Sequence, residues 1–152
     1  MVKSLLPIFT LLMGCSISQP TVRHQPERML FERCCEKPDW VREYQGNNRW
    51  LWFDSTSGYY FIVGSIPNAE DLLFSQAMAQ AASFGRLVEY LAAKVGAPAP
   101  NIVNLPVSLT LNEHYWEEWQ INGQDATSWV YDVYTLSTIS KDDVDIIIKK
   151  LK

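Results

Sequence analysis

The chain has 152 residues, with 13 Lys and Arg against 17 Asp and Glu, for a formal net charge of −4. That acidic balance excludes a dedicated nucleic-acid binder, which needs clustered cations to neutralise phosphates, and offers no basic face to anionic lipid headgroups. One domain is the natural reading of this length, with enough chain to bury a core without disulfides.

The first element is Lys3 followed by Leu5-Leu6-Pro7-Ile8-Phe9-Thr10-Leu11-Leu12, closing on Met13-Gly14-Cys15. A basic start, a short apolar core and a small residue before a cut site describe a secretory signal peptide. The run is far shorter than the ~20 residues of a spanning helix. Leu12-Met13-Gly14-Cys15 also has the form of a bacterial lipobox, whose cysteine sulfur takes a diacylglyceryl group before cleavage. The plainer alternative is an ordinary signal peptide that happens to hold a cysteine. The expected organisation is a signal peptide over 1–14, a lipidated tether over 15–37 and a small domain over 38–152. Ser16, rather than an aspartate, follows the cysteine. The expected address is therefore the outer membrane, facing the periplasm or the cell surface, with acyl chains on Cys15 as the anchor.

Residues 16–33 mix Ser, Gln, Pro, Arg and His without a sustained apolar period, as a flexible tether does. Met29-Leu30-Phe31 is the one apolar spot there, able to dock on the domain. Cys34-Cys35 follows, in a chain expected where disulfides form. Adjacent cysteines bridge each other only in a strained ring, and lipid would consume the Cys15 sulfur. The pair is therefore expected to form an intermolecular disulfide or to remain as two reduced thiols. Neither a CxxC spacing nor a His cluster suggests a metal or cofactor.

Residues 49–54 and 59–64 are two aromatic, β-branched runs around Ser55-Thr56-Ser57-Gly58, the pattern of a β-hairpin. Asn68 stands where a helix N-cap belongs, with Glu70 and Asp71 in the first turn. The helix runs to Val95 and stops at Gly96. Leu73, Ala77, Ala81, Phe84, Val88, Leu91 and Val95 form its expected core stripe. Gly85 costs about 1 kcal/mol in a helix interior, so a close contact is expected there.

Beyond Gly96-Ala97-Pro98-Ala99-Pro100, apolar Val103, Leu105, Val107, Leu109 and Leu111 alternate with polar residues and Pro106, the period of a strand. Residues 114–121 continue or kink it. Asn122-Gly123 makes a turn and residues 128–136 return as another strand. Ser140 with Asp143 forms a capping box for a closing helix whose core stripe is Val144, Ile147, Ile148 and Leu151. The order β-β-α-β-β-α gives an α+β domain, a mostly antiparallel sheet with one long and one short helix on one face.

Candidate chemistry is sparse. His114 has acids nearby in Glu113, Glu117 and Glu118 but no nucleophile motif, so a rim histidine is expected ahead of a hydrolase. Glu117 and Glu118 point to opposite faces of a strand and are expected as solvated or rim charges. Tyr115, Trp116 and Trp119 offer a sugar-stacking surface for a peptidoglycan- or ligand-binding module. The preferred reading places Tyr115 and Trp119 in the core.

The order of Pro38-Asp39-Trp40-Val41, a strand ending in Val63-Gly64, an alanine-rich helix and Trp129-Val130-Tyr131-Asp132-Val133-Tyr134-Thr135-Leu136, behind a lipobox, resembles the LPP-twenty-type lipoproteins. That group includes the basal-disk lipoproteins of the bacterial flagellum, and the similarity spans residues 38–151. The resemblance implies an α+β domain tethered to the outer membrane through Cys15, without catalytic residues or cofactor and sometimes assembled into rings. It further implies a structural or assembly role in the envelope, flagellar association included, with copies of itself or other envelope proteins as partners. Cys34-Cys35 and the hairpin at Trp50 and Trp52 depart from the family pattern.

Overall fold

The computed structural model describes residues 27–96, 107–123 and 126–152. The elements are β1 (Glu27–Arg33), α1 (Asp39–Asn47), β2 (Leu51–Asp54), β3 (Tyr59–Ala69), α2 (Leu72–Val95), β4 (Thr110–Asn122), β5 (Thr127–Ser140) and α3 (Lys141–Leu151). The strands form one antiparallel sheet in the order β1-β4-β5-β3-β2. The domain is α+β as expected, with the β-β-α-β-β-α series intact behind β1 and α1.

Those two leading elements correct the tether reading. Glu27–Arg33 is a strand, pairing with β4 from Glu27 opposite Asn122 to Arg33 opposite Glu117. Its charged flanks and short apolar centre hide the strand in a compositional reading, because an edge strand exposed on both faces has no reason to alternate. Residues 15–26 lie outside the described part. Helix α1 begins after Pro38 with Asp39 in its first turn and ends at Asn48, whose φ of 52° is left-handed.

The β2–β3 hairpin forms as expected. The Asp54 carboxylate accepts the Thr56 and Ser57 N–H groups at 3.0 and 3.2 Å, and Gly58 supplies the φ of 76° that the turn needs. Trp52 and Phe61, directly opposite across the strands, stack with ring centroids 5.3 Å apart. Strand β3 runs past Gly64 to Ala69, so Asn68 is its penultimate residue and not a helix cap. Asn68 has a φ of 54° and its N–H donates to Asp132. The cap is Asp71, whose side chain accepts the Phe74 N–H at 2.8 Å.

Helix α2 meets the sheet through Val88 and Leu91 as expected, but its first half uses a different stripe from the expected one. Ser75, Ala79, Ser83, Leu87, Val88 and Leu91 are buried, whereas Leu73 is 78% exposed. The cause is Gly64 in β3. A Cβ there would overlap the Ala79 carbonyl oxygen and stand 2.8 Å from the Ser83 nitrogen. A side chain at this point would hold helix and strand apart, so small residues face the sheet where the two backbones meet. A Cβ at Gly85 would meet nothing beyond its own helix within 4 Å, so the close contact falls at Gly64 instead.

Strand β4 begins only at Thr110; Val107 and Leu109 pack beside the core without belonging to the strand, while Val103, Leu105 and Pro106 lie outside the described residues. The Asn122-Gly123 turn leads into β5, with the Gly123 N–H bonded to the Ala126 carbonyl at 2.9 Å. The Ser140 hydroxyl caps α3 by accepting the Asp143 N–H at 3.1 Å and donates to the Asp143 carboxylate at 2.6 Å, so the two residues of the expected box pair through the hydroxyl.

The long and the short closing helix, α2 and α3, share one face of the sheet as expected, and the additional helix α1 covers the other. Thr135 and Tyr134 are successive residues of β5 and so point to opposite sides. Thr135 meets Ser83 of α2 at 3.2 Å, on the side where Ile62, Leu87, Leu91, Ile139, Val144 and Ile147 form the main core. Tyr134 packs with Val41 of α1 and with Tyr115 on the other side, with Trp40 and Tyr44 completing a second, smaller cluster. A strand buried from Asp132 to Ile139 requires both layers.

Candidate functional site

The cysteine pair closes β1. The Cys34 N–H bonds to the Trp116 carbonyl at 3.2 Å, which holds that backbone on the sheet while both thiols stay exposed, 3.1 Å from each other. Partial burial, then the Cys35 thiol, pushes the Cys34 thiol above the ordinary cysteine value. That reduces the thiolate fraction of Cys34, and the thiolate is the nucleophilic form. Cys15 lies outside the described residues.

The residues of β4 separate as alternation requires. His114 is exposed, opposite Thr135 in β5. Tyr115 is fully buried in the α1-side cluster, as the preferred reading expected. Trp116 faces the other way, edge-on to Tyr131 at 6.0 Å between ring centroids. The three aromatics therefore do not make one stacking surface. Glu118 accepts the Tyr131 hydroxyl at 2.9 Å and points away from Glu117.

Glu117 is where the structure departs most from the sequence reading. It is 1% exposed, not a rim charge. Lys37, in the connection from β1 to α1, reaches its Oε1 at 2.6 Å, and the Tyr115 hydroxyl donates to the same oxygen at 3.0 Å. Burial first, and Glu117 second, push the Tyr115 hydroxyl well above the ordinary tyrosine range. The opposite residue on β5 is Asp132, also buried. Arg28 of β1 pairs with Asp132 after crossing the Trp119 ring, with its guanidinium carbon 4.4 Å from the centroid. Two neighbouring carboxylates are thus each matched to one cation, an arrangement that neutralises charge inside the fold. A cleft beside α3, lined by Val107, Ile139, Ile146 and Lys150 among others, takes no residue from this cluster.

Arg86, half-buried, is a second tie. From α2 it donates to the Val63 carbonyl at 2.6 Å and to the Tyr44 hydroxyl at 2.8 Å. It thereby joins the helix layers on the two faces past the end of the short β2 ladder. Burial raises the Tyr44 hydroxyl, but the Ser65 hydrogen bond and Arg86 together hold it below the ordinary tyrosine value. No sequence pattern announced Lys37, Arg28 or Arg86, since each meets its partner only through the sheet order.

Several large apolar side chains are exposed among the described residues. Phe31 of β1 packs edge-on against Trp129 of β5 at 4.6 Å, yet the two are 62% and 43% exposed, with Met29 and Leu30 also open. Leu73, Phe74 and Met78 at the start of α2 are exposed as well. Among the described residues there is no group of three or more metal-ligating side chains, and no helix is long and apolar enough to cross a membrane. The scaffold is thus a five-stranded α+β domain with an internal ion cluster and an apolar outer rim. Compared with family models, curated proteins and solved structures, the chain matches none.

Proposed function

We propose that the chain is a lipid-anchored protein of the bacterial outer membrane, facing the periplasm or the cell surface, whose domain serves as a docking and assembly module of the envelope rather than as an enzyme. The observation that carries this reading is the exposed set Met29, Phe31 and Trp129 on the sheet. Large apolar side chains held open on fixed elements mark interaction surfaces. The lipobox-like Leu12-Met13-Gly14-Cys15 supports the anchor, and the resemblance to LPP-twenty-type lipoproteins supports the assembly role, flagellar association included. The charged groups of the interior cluster are occupied with one another and do not stand ready for acid–base work. A sugar-stacking module would need Tyr115, Trp116 and Trp119 on one surface, and β4 divides them.

The test is Cys15→Ser. The variant is expected to accumulate as an unprocessed, unlipidated precursor that leaves the membrane fraction. A variant that is processed and fractionates like the parent overturns the anchor.

A further inference from the structure

Cys34 and Cys35 follow β1 directly, both exposed, with their sulfurs in hydrogen-bonded contact at 3.1 Å. Cys15 is the only other cysteine of the chain. The segment that carries the pair is fixed on both sides. Before it, the Cys34 N–H is bonded to the Trp116 carbonyl of β4; after it, Lys37 is held by the buried Glu117. Neither cysteine belongs to either hydrophobic cluster, so packing does not account for their side chains. Two exposed thiols held against each other on a fixed backbone are placed for an intramolecular reaction, whose effective concentration far exceeds that of any second chain.

Chain geometry decides what kind of bond they would make. A trans peptide sets consecutive Cα atoms about 3.8 Å apart. Ordinary disulfides join Cα atoms roughly 4.4 Å apart or more. A bond between adjacent cysteines therefore closes a strained ring, and strained or exposed disulfides are the readily reduced ones. The loop it closes is also too short to constrain the unfolded chain, so it does not serve as a staple. What remains is a bond that forms and breaks easily while the rest of the fold stays in place.

We propose that Cys34 and Cys35 form a reversible dithiol–disulfide site that exchanges with small disulfides of the oxidised glutathione kind. The Cys35 thiolate attacks one sulfur of the incoming disulfide, whose S–S bond breaks and releases a first thiolate. Cys34 then loses its proton and attacks the Cys35 sulfur. The Cys34–Cys35 bond forms, the mixed disulfide breaks and the second thiolate leaves. The two electrons lost by the pair reduce the incoming disulfide, and the two released thiolates take up the two protons. An excess of external thiol runs the same steps backwards. Cys34 is the second thiol to react because burial, then Cys35, holds it protonated beyond the ordinary cysteine range, which makes it the donor in the contact between the sulfurs.

The experiment uses the full chain with Cys15→Ser in detergent, so that the pair supplies its only thiols. After treatment with oxidised glutathione and alkylation of what remains, intact mass should show a monomer lighter by two hydrogen atoms, with neither sulfur alkylated. An excess of reduced glutathione should return both thiols. Adding Cys34→Ser should stop the reaction at a mixed disulfide on Cys35, formed several times faster than the one on Cys34 in Cys35→Ser. In urea, where the Trp116 and Glu117 contacts are lost, closure of the ring from the mixed disulfide should slow roughly tenfold. A disulfide-linked dimer as the main product, stable glutathione adducts on the parent pair, or thiols that remain open to alkylation overturn the site. Equal closure rates in the folded and unfolded chain overturn its positioning by the fold, and a faster reaction at Cys34 overturns the order of attack. None of these readouts depends on the lipid anchor, so either idea can fail without the other.

Discussion

Glu117 of β4 and Asp132 of β5 stand opposite each other on the same face of the sheet, each held by a cation from the N-terminal part of the domain. Lys37 holds the first and Arg28 the second, and Asp132 also accepts the Asn68 N–H at the end of β3 at 3.0 Å. The two carboxylates thereby pin β1, the connection to α1 and the end of β3 onto the central hairpin. Their proximity makes each dependent on its own cation, since two adjacent uncompensated charges would repel inside the fold.

Removing one of those cations should be costly. Lys37→Met leaves Glu117 buried with only the Tyr115 hydroxyl for company, and its second oxygen has no hydrogen-bond partner among the described residues. Breaking a buried pair from one side costs about 3 kcal/mol or more. Urea unfolding followed by tryptophan fluorescence should show that loss for Lys37→Met. The double variant Lys37→Met/Glu117→Gln should recover a large part of it, because no charge is then stranded.

The two glycines at the α2 layer should respond in opposite directions. Gly64→Ala pushes a methyl group into the backbone of α2 at Ala79 and Ser83, so the helix must lift from the sheet. Overpacking of this kind costs roughly 1–3 kcal/mol, with backbone clashes at the upper end. Gly85→Ala fills open space on an exposed helical turn and should stabilise by about 0.5–1 kcal/mol. Thermal melts of the two variants should fall on opposite sides of the parent. A Gly85→Ala melt below it would mean that the helix lies closer to a neighbour there.

Alkaline pH should loosen the α1 layer. Burial pushes Tyr134 up to about 12 from its ordinary 10.0, although the Gln45 amide, donating to its hydroxyl, works in the opposite direction. The folded value is raised above the unfolded one. Its contribution is therefore complete below pH 10 and is lost as pH climbs through 12. Two units correspond to roughly 2–3 kcal/mol at most. Unfolding free energies measured across that window should fall less steeply in Tyr134→Phe than in the parent. A residual slope is expected from Tyr115, whose hydroxyl is also pushed up.

Local chemistry made much of the fold legible. The β2–β3 hairpin followed from its aromatic runs and turn residues, the stop of α2 from Gly96, and the α3 capping box from Ser140 and Asp143. These features depend on residues close in the chain, where propensity and hydrogen bonding act without help from the rest of the fold. The start of α2 was missed because Asn68 and Asp71 are both good caps, and only Asn68's engagement with Asp132 shows that β3 continues through it. Helix α1 was missed because its nine residues bury a single side chain, Val41, too little to register as a period.

The sequence by itself determined the element types from residue 49 onward, the α+β class and the antiparallel hairpins, because periodicity, caps and turns are local. Tertiary structure alone decided which stripe of the first half of α2 faces the sheet, since Gly64 admits Ala79 and Ser83 where a hydrophobic count favours Leu73 and Ala77. It also decided that residues 27–33 close the sheet as β1, and that Glu117 is a buried, paired charge. Both depend on partners tens of residues away, and the energy of a strand edge or an ion pair exists only once the chain has brought those partners together.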